Sequence, residues 1–208
     1  LTAPGTLVVK ADAGETELTA PNIIIATGAR ARDLPFAPAD GQRIWTYRHA
    51  MVPPAMPTKL LVIGSGAIGI EFASFYNDMG AEVTVVEMMD RIVPVEDGDV
   101  SAFLEKALVK QGMTILTGAG VESLQADAGG VTAAIKDRDG TVRTDSFSHC
   151  IVAIGIVPNT EGIGLEALGI QTVRGHIQTD GLCRTNVPGI WAIGDVTAPP
   201  WLAHKASH

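Results

Sequence analysis

The stretch "KLLVIGSGAIGIEFASFYNDMGAEVTVVE", Lys59–Glu87, decides how this chain is read. Leu60–Ile63 is a continuous apolar run, which predicts a short strand buried on both faces. Ala67–Met79 carries helical spacing, with Ile68, Phe72, Phe75 and Tyr76 placed on one side and Gly80 as the C-terminal stop. Glu82–Glu87 then predicts a second strand. Gly64, Gly66 and Gly69 fill the GxGxxG spacing at the strand-to-helix junction. The first glycine permits a tight turn, the second lets a pyrophosphate approach the main chain, and the third lets helix and sheet pack closely. The helix N-terminus adds free N–H groups and a partial positive charge for the phosphates. Glu87 closes the pattern, 18 residues past Gly69 at the end of the second strand. A carboxylate there accepts the adenosine ribose hydroxyls and repels a 2′-phosphate. Met88, Met89 and Asp90 follow it rather than an arginine, so NAD is expected over NADP. Arg91 is read as a surface partner of Asp90. Glu71 is left open between a charge that stabilises the helix N-terminus and a contact to the nicotinamide end.

Composition bounds the rest. The chain has 208 residues, 46% hydrophobic and 18% charged, as in a globular protein rather than a disordered one. A net charge of −8 with no basic stripe argues against nucleic acid or an anionic membrane as partner. No apolar run approaches the ~20 residues of a membrane span, and no signal peptide is visible, so a cytoplasmic setting is expected. The two cysteines, Cys150 and Cys183, form no CxxC motif, and Cys150 within "CIVAIG" is expected to be a buried, inert thiol. The five histidines are scattered and no metal-ligand spacing occurs.

Outward from the opening stretch, Thr6–Lys10 and Glu15–Ala20 predict a hairpin through Gly14, and Asn22–Ala26 a strand buried on both faces. The proline-rich residues Leu34–Pro57 predict a linker or boundary. Asp99–Gln111 predicts an amphipathic helix on Val100, Phe103, Leu104, Ala107 and Leu108. Thr114–Leu116 and Val121–Gln125 are strand candidates, Val131–Asp137 and Thr141–Asp145 a hairpin across "RDG", and Cys150–Ile154 a further buried strand. "IIIATG", "LLVIGSG", "IVAIG" and "IWAIGD" are apolar strands that all end in glycine. In open α/β sheets ligands bind just beyond such carboxyl ends, so this repetition predicts one or two nucleotide-binding sheets.

Six motifs occur along essentially the whole chain: "ATG" at Ala26–Gly28, "GSGAIGIE" at Gly64–Glu71, "VVEMMDRIVP" at Val85–Pro94, "AIGIVPNT" at Ala153–Thr160, "WAIGDV" at Trp191–Val196 and "LAHKASH" at Leu202–His208. In kind and in order they resemble those of the pyridine nucleotide–disulfide oxidoreductases. "LAHKA" is similar to the branch that acts on dihydrolipoamide. The resemblance implies an α/β fold in which a Rossmann-like NAD-binding domain, with a parallel sheet and a β-meander, interrupts an FAD-binding domain. Residues 1–44 would end the first FAD-domain segment, 45–158 form the NAD domain, and 159–208 begin the second FAD-domain segment. It implies NAD contacts at Gly64, Gly66, Ala67, Ile68, Gly69, Glu71, Glu87, Val121 and Gly155, with Glu71 facing the nicotinamide. It implies FAD contacts at Ala26, Thr27 and Gly28, at Asp195 on the ribityl chain, and at Leu202, Ala203 and His204 by the flavin ring.

The activity implied is electron transfer from dihydrolipoamide through a disulfide and FAD to NAD. The partners implied are a second copy of the full-length protein and the lipoyl domains of a 2-oxo acid dehydrogenase complex. The family's CxxxxC disulfide and HxxxxE pair are absent from this sequence. The chain, starting at Leu1, is therefore expected to be the central portion of such an enzyme, with no catalytic group of its own and no activity alone. Two departures stand out: Ile156 occupies the place of a common arginine, and Ala67 that of a larger aliphatic residue. The alternatives are another flavin disulfide reductase, of glutathione or mercuric reductase type, and a non-catalytic NAD-binding module.

Overall fold

A computed structural model describes residues 1–207. The strands are β1 (Thr6–Ala11), β2 (Gly14–Thr19), β3 (Ile23–Ile25), β4 (Ala29–Ala31), β5 (Ile44–Trp45), β6 (Lys59–Ile63), β7 (Glu82–Glu87), β8 (Thr114–Thr117), β9 (Gly120–Asp127), β10 (Gly130–Lys136), β11 (Val142–Phe147), β12 (His149–Val152), β13 (Ile156–Pro158), β14 (Thr172–Val173), β15 (His176–Ile177) and β16 (Ile190–Ala192). The helices are α1 (Tyr47–Met51), α2 (Ala67–Asp78), α3 (Gly98–Lys110) and α4 (Ala203–Ser207). Two compact units result, one from Ala31–Gly155 and the other from Leu1–Arg30 with Ile156 onward. Among the described residues, no helix is long and apolar enough to cross a membrane.

The Ala31–Gly155 unit is built on a parallel sheet in the order β5-β12-β6-β7-β8. β6 alternates between two cores, which is why Leu60–Ile63 is uniformly apolar. Leu60 and Val62 pack with Val83, Val85, Ile151, Ile70, Ala73, Tyr76 and Leu108 on the face that α2 and α3 cover. Leu61 and Ile63 pack with Val86, Leu124, Val131, Ile135, Phe147 and Val152 on the opposite face, under the antiparallel meander β9-β10-β11. Each such fully buried side chain contributes about 1.5–3 kcal/mol. The "RDG" hairpin and the strands flanking the opening stretch form as the sequence predicts.

Both long helices bury only part of the face that the large apolar residues suggested: Tyr76 and Leu108 are in the core with Phe72 and Leu104 packed against it, and the rest of each inward face differs. On α2 the buried residues are Gly69, Ile70, Ala73 and Tyr76, while Ile68 and Phe75 are 38% and 53% exposed. The small Gly69 and Ala73 let the helix approach the sheet and seat Ile70 and Tyr76, while Ile68 and Phe75 are left outside the contact. On α3, Ser101 and Leu108 are buried with Leu104 against them, whereas Val100 and Phe103 are exposed. The proline-rich stretch is also more than a linker. The Asp40 carboxylate accepts the amides of Gln42, Arg43 and Ile44 at 2.7–2.9 Å, a turn that delivers β5 to the sheet edge. Trp45 is fully buried beside Tyr76 and His149.

The other unit centres on the parallel pair β3 and β16. Ile25 is buried with Ile190, Ala192, Leu165, Ile170, Ile177 and Val196, and Ile23 is buried as well, but Ile24 is 62% exposed. The expectation of burial on both faces fails here, because a pair of strands with its core on one side leaves alternate residues uncovered. The β1–β2 hairpin forms as predicted, turning before Gly14.

Candidate dinucleotide-binding site

The glycine loop joins the carboxyl end of β6 to the N-terminus of α2, and each glycine has its own physical reason. Gly64 adopts φ +96°, and a Cβ there would lie 2.5 Å from the Ala153 carbonyl oxygen at the end of β12. Gly69 would place a Cβ 2.0 Å from the Gly64 carbonyl oxygen. Gly66 differs: it caps α2 with φ −63° and ψ 177°, and a Cβ would meet nothing within 4 Å. Its open side is a space into which a phosphate can approach the backbone and the first free N–H groups of α2.

Glu87 ends β7 beside this loop. It is 8% exposed and already heavily engaged. Ser65 donates to Glu87 Oε2 through its backbone N–H at 2.8 Å and through its hydroxyl at 2.7 Å. The Met89 N–H donates to Oε1 at 2.8 Å. An ionised carboxylate offers about four acceptor directions, so a ligand meets a carboxylate with most of them filled, not a free one. The Val93 N–H donates to the Ser65 carbonyl at 2.9 Å, which fastens the following loop to the same point. Val93, a β-branched residue, holds φ +37° there, an uncommon and strained conformation. Arg91 donates to the Pro94 carbonyl at 3.2 Å, so its observed contact is not the Asp90 pairing read from the sequence.

The remaining predicted positions in this unit fall at the same carboxyl-end rim or on α2. Ala67 and Ile68 are exposed in the first turn of the helix. Glu71 is exposed one turn on and lines an open groove of about 320 Å³ with Ala50, Met51, Phe72 and Phe75. Val121 is half-buried at the start of β9, two residues after Ala119, whose N–H donates to the Glu87 backbone carbonyl. Gly155 is exposed with φ +106°, just past β12.

In the other unit, Ala26–Gly28 follow β3 and Asp195 follows β16, at the same end of the parallel pair. Asn159 clamps the first of these. Its side-chain amide donates to the Thr27 carbonyl at 2.9 Å, its backbone carbonyl accepts from the Thr27 hydroxyl at 2.7 Å, and its N–H donates to Gly28. Arg30 reaches Asn159 and grips Glu161 in a two-pronged ion pair, which holds the Glu161 carboxyl down at about 2. Gly194 lies under α4, with space for a Cβ 3.7 Å from Ala206 Cβ. Leu202, Ala203 and His204 are exposed at the start of that helix, and His208 at the end of the "LAHKASH" motif lies outside the described residues. Sequence reasoning missed Asn159 and Ser65. Asn159 stands inside a motif but acts on a residue 132 positions away, and Ser65 fills a variable position of GxGxxG. Cys150 is fully buried as expected, and burial pushes its thiol well above the ordinary range.

A parallel sheet, a glycine loop at a helix N-terminus and an acid ending the next strand define a dinucleotide-binding α/β protein. The family described as pyridine nucleotide-disulphide oxidoreductase matches residues 2–208, and the chain belongs to it. It is 58% identical to a dihydrolipoyl dehydrogenase of Zymomonas mobilis over all of this chain and 45% of the relative. It is 53% identical to one of Rhizobium etli over 94% of this chain and 40% of the relative. The fold matches LpdA of Mycobacterium tuberculosis (39% identity, TM-score 0.85, 96% of this chain and 43% of that one). It also matches the HOCl-induced flavoprotein disulfide reductase RclA of Escherichia coli (26% identity, TM-score 0.88, 100% and 46%). The chain thus spans a little under half the length of the curated relatives it matches.

Proposed function

We propose that the chain is the NAD-binding heart of an NAD-linked flavoprotein disulfide oxidoreductase of dihydrolipoyl dehydrogenase type. The observation that carries this is the anchored Glu87 carboxylate beside the open face of Gly66. In this reading Gly64, Gly66, Gly69 and the α2 N-terminus take the pyrophosphate, Glu87 the adenosine ribose, and Val121 the adenine side. Ala67, Ile68, Glu71 and Gly155 approach the nicotinamide end. The NAD domain is taken as residues 45–158, between FAD-domain segments 1–44 and 159–208. NAD, when bound, accepts a hydride; this chain's residues bind and orient it and exclude a 2′-phosphate.

The residues fit only part of a flavin. Asp195 is half-exposed beyond β16 and Ala26–Gly28 lie beyond β3, a rim suited to the ribityl chain and ring. The pyrophosphate of FAD needs a glycine loop and helix N-terminus of its own, and the described residues of this unit supply none. Dihydrolipoamide as electron donor, lipoyl domains of a 2-oxo acid dehydrogenase complex as partner, a homodimeric whole protein and a cytoplasmic setting complete the proposal. The strong identity to dihydrolipoyl dehydrogenases favours this substrate over those of other flavin disulfide reductases.

Calorimetric titration tests it. NADH should bind at least tenfold more tightly than NADPH; equal or tighter NADPH binding would sink the assignment. The 208-residue chain should also be colourless and fail to oxidise dihydrolipoamide with added FAD. A few contacts at about 1 kcal/mol each do not offset the 4–15 kcal/mol cost of association. Stoichiometric yellow flavin would count against the incomplete-site reading.

A further inference from the structure

The Ser65 side chain is fully buried, with relative exposure of 0%, yet it lies in the middle of a loop built to face a ligand. Its hydroxyl donates to Glu87 Oε2 at 2.7 Å. The same oxygen accepts the Ser65 N–H at 2.8 Å, and the other oxygen accepts the Met89 N–H at 2.8 Å. The Ser65 carbonyl in turn accepts the Val93 N–H at 2.9 Å. One residue therefore ties together the glycine loop, the end of β7 and the loop that follows β7.

We infer that Ser65 is the positioning residue that sets nucleotide specificity, by fixing the orientation of the Glu87 carboxylate. This rests on the assignment of Glu87 to the adenosine ribose. A glutamate held only by its own rotamers could swing aside to admit a 2′-phosphate. Held by three donors spread over both oxygens, it cannot turn without leaving the buried Ser65 N–H and the partly buried Met89 N–H unpaired. The two backbone donors come with the fold, whatever side chain stands at position 65. The hydroxyl is the one donor that the side chain chooses, and it doubles the anchoring at Oε2. It also fills an acceptor direction there, so the ribose finds the carboxylate in one fixed pose. Specificity in this design comes from rigidity: a 2′-phosphate meets a negative charge that does not retreat.

The test compares the protein with its Ser65→Ala, Ser65→Cys and Glu87→Gln variants. Each is titrated with NADH and with NADPH by nicotinamide fluorescence, with melting recorded in parallel. Ser65→Ala is expected to weaken NADH about tenfold and NADPH less than threefold, so that the preference for NADH shrinks at least threefold. Ser65→Cys keeps the side-chain shape and a weaker donor, and its preference should fall between wild type and Ser65→Ala; it also serves if Ser65→Ala folds poorly. A merely structural serine would weaken both nucleotides by the same factor, and that result overturns the inference. Wild-type preference in Ser65→Ala or Ser65→Cys, alongside lost preference in Glu87→Gln, overturns it too while leaving the ribose assignment standing. Unchanged preference in Glu87→Gln removes the ribose assignment itself, and the role of Ser65 with it.

Discussion

Replacing Gly69 with alanine adds a single methyl group, and the structure places it where the chain cannot make room cheaply. The new Cβ would lie 2.0 Å from the Gly64 carbonyl oxygen, 3.1 Å from its carbon and 3.3 Å from Ala153 Cβ. Ordinary contact begins at 3.4 Å, so the shortfall against the oxygen is about 1.4 Å. The obstacle is backbone, and no rotamer change relieves it. Overpacking of this kind costs about 1–3 kcal/mol and occasionally more. A backbone clash belongs at the upper end, and alanine's better helix propensity returns about 1 kcal/mol. A net loss of about 2 kcal/mol or more follows, or roughly 5–10 °C in the melting of the Ala31–Gly155 unit. Gly66→Ala is the internal control. Its Cβ meets nothing within 4 Å and its φ of −63° suits any residue, so stability should shift by less than about 1 kcal/mol. Scanning calorimetry on both variants decides the matter. A Gly69→Ala protein melting within about 2 °C of wild type would refute the claim that this glycine exists for close helix–loop packing.

Gly66→Val should keep the wild-type melting temperature and lose dinucleotide affinity by more than about 30-fold, since its side chain fills only ligand space; retained NADH binding by calorimetry would contradict the site. Tyr76→Phe removes the 2.6 Å hydrogen bond from the buried hydroxyl to the Ala50 carbonyl. It should cost about 1–3 kcal/mol in urea unfolding, and an unchanged midpoint would show that the carbonyl finds another donor. His149 is buried against Trp45, and burial first, then the nearby Arg43 charge, depress its pKa below the ordinary 6.5. The unfolded chain then takes up the proton first as pH falls, so stability is full above about 6.5 and declines below it. His149→Phe should flatten the fall in melting temperature between pH 7.5 and 5.5, a window above that of Asp40 and Asp145; an unaltered slope would discard His149 as its source.

How much of this was legible depended on how local each cause was. Gly69 could be read because its reason is local: the Gly64 carbonyl that excludes a side chain there belongs to the same turn, whereas the Ala153 carbonyl that excludes one at Gly64 comes from the distant β12. Glu87 was legible because one helix and one strand fix its distance from the loop. The inward faces of α2 and α3 were legible only in part, at Tyr76, Leu104 and Leu108, because size misled at the other positions. Phe75 and Phe103 looked like core, but Gly69, Ala73 and Ser101 allow the approach that buries Ile70, Tyr76 and Leu108. Trp45 sits among prolines, and its burial depends on β12, whose Ile151 pairs with it from 106 positions along the chain.

The residues that hold a site in shape follow a different logic from those that touch its ligand. Ser65 and Asn159 were hidden inside motifs that name their neighbours. Ser65 acts through a carboxylate 22 residues away and Asn159 through a threonine 132 residues away. A motif's spacing records where the backbone must come close to a ligand. It is silent on which side chain stiffens the acid opposite, because several residue types could occupy that position without disturbing the turn. The serine hydroxyl is thus a choice that the fold permits and does not require. That freedom is why nucleotide preference can be tuned at position 65 without rebuilding the loop, and why its effect should show in the ratio of NADH to NADPH affinity before it shows in stability.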